Sequence, residues 1–171
     1  MAESRAQGTV RGSKVLGAPS KPPRVRPERA EPEDVDDPRR PRRVVDYSLE
    51  RRRALGKIVL TATGASENLD PHPDLLRAAK YHGQPLAEAC PWCRSKEMVL
   101  LRYTWGDELG DFTGRQHTLA EIDEMAGEQG QFRVDEVEVC RECHWHFRRR
   151  SYVLGDGQPR PAKRARKNDT W

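Results

Sequence analysis

Cys90-Pro91-Trp92-Cys93 and Cys140-Arg141-Glu142-Cys143 contain all four cysteines of the chain, with 46 residues between Cys93 and Cys140. A CxxC turn puts two thiolates on one side of a tight loop. Two such turns brought together offer four sulfurs in a tetrahedron, the donor set of a closed structural zinc site. The spacing therefore predicts one structural Zn2+ held by Cys90, Cys93, Cys140 and Cys143. Disulfides rank lower, because no secretory leader or run of about 18 apolar residues is legible and the thiols of a cytoplasmic chain stay reduced. A thioredoxin-like role for the first pair leaves the second without a purpose. A redox-active iron bound by four sulfurs ranks lower still. His144 and His146 lie beside Cys143, but four thiolates already complete the shell.

The segments flanking both pairs read as strands. Met98, Val99, Leu100, Leu101 and Tyr103 fall in a strand over 97–104, leaving the first pair. Phe132, Val134, Val137 and Val139 lead into the second pair, and the broken alternation between Val134 and Val137 predicts a bulge there. Trp145, Phe147, Tyr152 and Val153 mark a strand leaving it, closed by Gly155-Asp156-Gly157. Between the pairs, Thr118-Leu119-Ala120-Glu121 is a capping box that opens a helix over about 118–126, with Leu119 and Ile122 inward. Two knuckles beside antiparallel strands describe a zinc ribbon with a helical insertion, a small α+β fold.

Upstream, Asp46 can cap a helix over 46–61 whose apolar stripe is Leu49, Leu55 (or Ala54), Ile58 and Val59, with Arg51, Arg52 and Arg53 on its polar side. Pro73 to His82 reads as a second helix, with proline in its first turn, Asp74 near its positive end and Gly83 after it. Leu75, Leu76 and Ala79 are its inward residues.

Composition confines this folded centre to 44–155. The 171-residue chain is only 35% hydrophobic, with 13 prolines and 13 glycines, on the polar side of globular usage. Residues 1–43 carry 11 basic and 7 acidic side chains, and their prolines predict a disordered, solvated leader. Residues 156–171, with Lys163-Arg164-Ala165-Arg166-Lys167, read as a disordered basic tail. Residues 44–154 carry 15 basic and 18 acidic side chains, so the net positive charge belongs to the ends. A thin core between such ends gains from a metal what burial alone does not supply.

Catalysis needs an open metal position or a convergent acid–base set, and neither is legible. HExxH, a glycine-rich phosphate loop and the zinc-deaminase pattern are all missing. The expectation is a non-enzymatic adaptor that binds a protein component of a transcription or other nucleoprotein machine, with no small-molecule substrate and no membrane association. Trp92 would be an exposed anchor, and Arg51, Arg52, Arg53, Arg148, Arg149 and Arg150 would provide electrostatic docking. The alternative is direct DNA or RNA binding through the strand Trp145 to Arg150, where aromatics lie beside successive cations, together with the basic tails.

Val44-Val45-Asp46-Tyr47 with the basic helix after it, Leu75 to Gly83, the two CxxC pairs and Ser151 to Gly155 together resemble a small family of uncharacterised actinobacterial proteins, over about 44–155. The resemblance implies that the cysteines form one site. It implies no activity, since none is established for that family.

Overall fold

A computed structural model describes residues 36–60, 67–162 and 164. Most of the leader, and all of the basic tail beyond 162 except Arg164, lie outside the described residues. The folded part extends past both expected limits. Arg42–Asp46 forms β1, Arg39 Nε donates to the Asp123 carbonyl, and the Gly155 N–H donates to the Pro38 carbonyl. At the other end, the Asp156 N–H donates to the Gln129 carbonyl.

The elements follow as β1, α1 (Ser48–Leu60), α2 (Pro73–His82), β2 (Gln84–Pro85), β3 (Met98–Trp105), β4 (Arg115–Gln116), α3 (Leu119–Glu128), β5 (Phe132–Cys140) and β6 (His146–Leu154). All strands join one antiparallel sheet in the order β1-β6-β5-β3-β2, with β4 also on β3. It is a small mixed α/β fold built on a β3–β5–β6 meander. The CxxC segments lie at one end of it.

β5 explains the core. Its alternation is regular, so Phe132, Val134, Glu136, Glu138 and Cys140 share one face and Arg133, Asp135, Val137 and Val139 the other. The apolar residues change face midway along the strand. Phe132 and Val134 pack with Leu109, Ile122 and Ala126 under α3, whereas Val139 packs with Val99, Leu101 and Ala79 under α2. The break between Val134 and Val137 therefore records a change of cover. The bulge is on the partner strand: Glu136 faces Arg150 and Val137 faces Arg148, leaving Arg149 as the extra residue of β6.

The helices follow their local signals. The Asp46 carboxylate accepts the Ser48 N–H at 2.7 Å and opens α1. Thr118 and Glu121 close the expected capping box on α3. Helix α2 starts at Pro73 and ends before Gly83, where a Cβ would lie 2.5 Å from the Ala79 carbonyl and 2.6 Å from the Val99 side chain. Only glycine allows the chain to pass that closely.

Helix α1 departs from its expected stripe. Ala54, Leu55 and Ile58 pack inward, but Leu49 and Val59 are 58% and 71% exposed. Positions 51, 54, 55 and 58 follow the i, i+3, i+4, i+7 pattern of one face, so the inward face includes an arginine.

Candidate metal centre

The two cysteine turns are copies in backbone terms. Cys90 N–H donates to the Ser95 carbonyl at 2.8 Å, and Arg94 N–H donates back to Cys90 at 3.0 Å. In the second turn, Cys140 N–H donates to Trp145 at 2.7 Å and His144 N–H to Cys140 at 3.0 Å. The residue after each second cysteine, Arg94 or His144, takes a left-handed conformation with φ of 65° or 64°. That residue reverses the chain and leaves both thiols of the turn on its inner side. The turns are fastened to each other as well: Arg141 N–H donates to the Glu97 carbonyl, and the two side chains form an ion pair.

All four Sγ atoms lie within 4.8 Å of one another, with Cys90–Cys143 and Cys93–Cys140 at 3.6 Å. A tetrahedron with metal–sulfur bonds of about 2.3 Å has edges of about 3.8 Å, so the thiols fit a four-coordinate ion. All four are free cysteines. Burial pushes the Cys90 and Cys143 thiols up. At Cys93 burial acts in the same sense but is outweighed by the Ser95 N–H and the neighbouring thiols, so that thiol is lowered. The packing of four soft donors around one point fits a site completed by a cation, which would bind them as thiolates and release their protons. Among the described residues these cysteines form the metal-ligating cluster, and His144 and His146 are not part of it.

Beneath the clasp, Cys90 and Cys140 join Ile58, Met98 and Trp145 in one buried cluster. Trp92, expected as an exposed anchor, is half-buried against this cluster. Trp145 was expected on a binding strand but is 0% exposed. It stacks on Phe147 at a centroid distance of 5.9 Å and donates its indole N–H to Glu138 at 2.8 Å. Its ring has no free face for a base or a partner.

Most of the expected docking arginines serve the fold. Arg51 Nε and Nη2 donate to the two oxygens of Glu138 at 2.6 and 3.1 Å, and Arg149 approaches the same carboxylate at 3.7 Å. Arg150 makes two hydrogen bonds to Glu136, which also accepts from Arg102 at 3.3 Å. Arg148 pairs with Asp135 at 3.5 Å and lies over the Tyr47 ring at 4.5 Å. The bulge explains the division, because it gives Arg149 and Arg150 to the Glu136–Glu138 face and Arg148 to the Asp135 face. Arg52 and Arg53 remain outward and exposed.

Apolar periodicity gave no sign of the carboxylates Asp135, Glu136 and Glu138, yet a signal was present. Folding the chain back at the second CxxC turn sets three acids on β5 against three consecutive arginines on β6. Such charge complementarity across a hairpin is legible once the turn is fixed.

The fold and the site together define a mixed α/β protein whose antiparallel sheet is closed at one end by a four-cysteine cluster. The chain belongs to the DUF5318 family, a family of unknown function, which matches residues 39–169. It is 42% identical over 115 residues to uncharacterized proteins of Mycobacterium tuberculosis and Mycobacterium bovis, covering 67% of this chain and 84% of each relative. No solved structure matches it. No helix among the described residues is long and apolar enough to cross a membrane.

Proposed function

We propose that the protein is a non-enzymatic, zinc-ribbon-like adaptor, in which one structural Zn2+ on Cys90, Cys93, Cys140 and Cys143 holds a scaffold that docks a protein component of a nucleoprotein or transcription assembly. The observation that carries this reading is the outward face of α1. Leu49, Arg52, Arg53, Lys57 and Val59 are all exposed there, while Arg51 on the same helix is turned inward to Glu138. An exposed cationic helix face with apolar positions suits an acidic protein surface, with charge steering the encounter and leucine and valine supplying burial. A closed thiolate shell leaves no coordination position for substrate, which favours scaffold over catalyst. Direct nucleic-acid binding has less support, because Trp145 is buried and Arg148 to Arg150 are committed to carboxylates.

Crosslinking and mass spectrometry on the metal-loaded chain, compared with the R52E/R53E/K57E variant, tests the proposal. Partners crosslinked through acidic residues, and lost in the variant while the fold persists, are expected. An unchanged partner set sinks the surface. Binding that follows nucleic acid and weakens steeply with salt, without any protein partner, favours the alternative.

A further inference from the structure

Helix α1 is poorly equipped to stand alone. At 13 residues it is near the length at which isolated helices are marginal in water. Gly56 sits in its interior, Ile58 and Val59 are β-branched, and Arg53 and Lys57 bring like charges together at i, i+4 spacing. A Cβ added at Gly56 would meet nothing within 4 Å, so no packing demand calls for glycine there. The order of the helix therefore comes from what it rests on.

That support is the cysteine end of the sheet. Ala54, Leu55 and Ile58 all pack in the cluster of Cys90, Met98, Cys140 and Trp145. Among the described residues, α1 adds nothing to the clusters under α2 and α3. Its charged anchor leads the same way. Arg51 holds Glu138, and Glu138 accepts the indole N–H of Trp145, two residues after Cys143. The Tyr47 N–H donates to the Arg149 carbonyl, which tethers the start of the helix but not its second half.

We propose that metal occupancy of the four cysteines gates the docking face of α1. With the cysteines loaded the helix is ordered on the sheet, and without the ion it unfolds from Ala54 onward. Metal binding and helix ordering are then linked in both directions, because part of the binding free energy is spent on the helix. Lys57 and Val59 lie in that second half, so the face offered to a partner is lost with the metal. The gating of a partner rests on the outward face of α1 being the docking surface; the ordering of the helix does not.

Two measurements on the full chain, with no partner present, test the gate. In hydrogen exchange, amides of Leu55 and Ile58 should lose protection by about tenfold or more when EDTA removes zinc, while those of Ile122 and Ala126 in α3 keep theirs. Gly56→Ala strengthens the helix without disturbing its packing. In competition with a chromophoric chelator it should tighten zinc binding about three- to fivefold, since the metal-free chain then has less helix-ordering cost to overcome. Gly127→Ala is the control. A Cβ there also meets nothing within 4 Å, but α3 packs away from the cysteines, so affinity should not change. Protection of Leu55 and Ile58 retained in the metal-free chain overturns the proposal, as does a loss shared equally by α3. So does an affinity that Gly56→Ala leaves unchanged or Gly127→Ala raises as much, or a chain that takes up no zinc. The gate can fail in these measurements while the docking face stands, and crosslinking with R52E/R53E/K57E decides the face separately.

Discussion

Glu138 has no solvent exposure, yet it sits two residues before Cys140 of the four-cysteine cluster and accepts from both α1 and the second turn. The desolvation of its charge is offset chiefly by Arg51 and the Trp145 indole, with Arg149 at 3.7 Å as a weaker third partner. Removing one partner of such a set leaves an uncompensated buried charge, a loss of about 3–5 kcal/mol. Glu138→Gln in the metal-loaded protein is therefore expected to lower unfolding free energy by about that amount in urea melts. Adding Arg51→Met should recover part of it, because the stranded guanidinium is then gone. A loss under about 1 kcal/mol would show that water takes over the carboxylate's role. Arg141 and Glu97 are the contrast. Both are more than a third exposed, and Arg141→Ala should change stability by no more than about 1 kcal/mol.

Helix α3 shows how an element's end couples to its surroundings. Thr118 accepts the Glu121 N–H, and the Glu121 carboxylate accepts from Thr118 in return. Thr118→Ala is expected to cost about 1 kcal/mol by urea denaturation. His117 precedes this cap. Burial lowers its pKa from 6.5, Glu121 opposes that shift, and Arg115 adds to it. The unfolded chain therefore takes up the proton first, so the stability from neutral His117 is complete above about pH 6.5 and is lost as pH falls through the folded value. Replacing it by glutamine should flatten that part of the stability profile relative to the parent protein; parallel profiles would remove His117 as the cause. This helix, its cap and α2 were legible in sequence because their signals are local. β3, β5 and β6 were legible as strands from apolar residues beside fixed turns. β1 was not, since Arg42–Asp46 is an edge segment that pairs, among the described residues, with β6 alone and whose side chains mostly face water. Arg51 and Trp145 were misread for a related reason. Their roles depend on a buried acid that lies far from Arg51 in sequence and that apolar periodicity does not reveal.

At the scale of the molecule, the clasp joins the loop before β3 to the turn between β5 and β6, and among the described residues one of three core clusters contains its cysteines. The α3 cluster around Phe132 and Val134 and the α2 cluster around Val99 and Leu101 contain no cysteine. The cluster of Ile58, Met98 and Trp145 contains two. Metal removal should thus act unevenly. The purified protein is expected to hold one zinc per chain by elemental analysis, and a strong chelator should reduce the near-UV circular dichroism of Trp92 and Trp145. In hydrogen exchange, amides at Met98, Cys140 and Trp145 should lose protection first, with those at Phe132 and Val134 retained longest, because local opening follows the contacts that are lost. Readdition of zinc should restore both signals. Uniform loss along β5 would mean that the clasp holds the entire sheet, and no change would mean that the thiols carry no structural ion. The uneven outcome is favoured by the change of face within β5, which gives the strand separate apolar cover at each end and leaves charged pairs to bridge the middle.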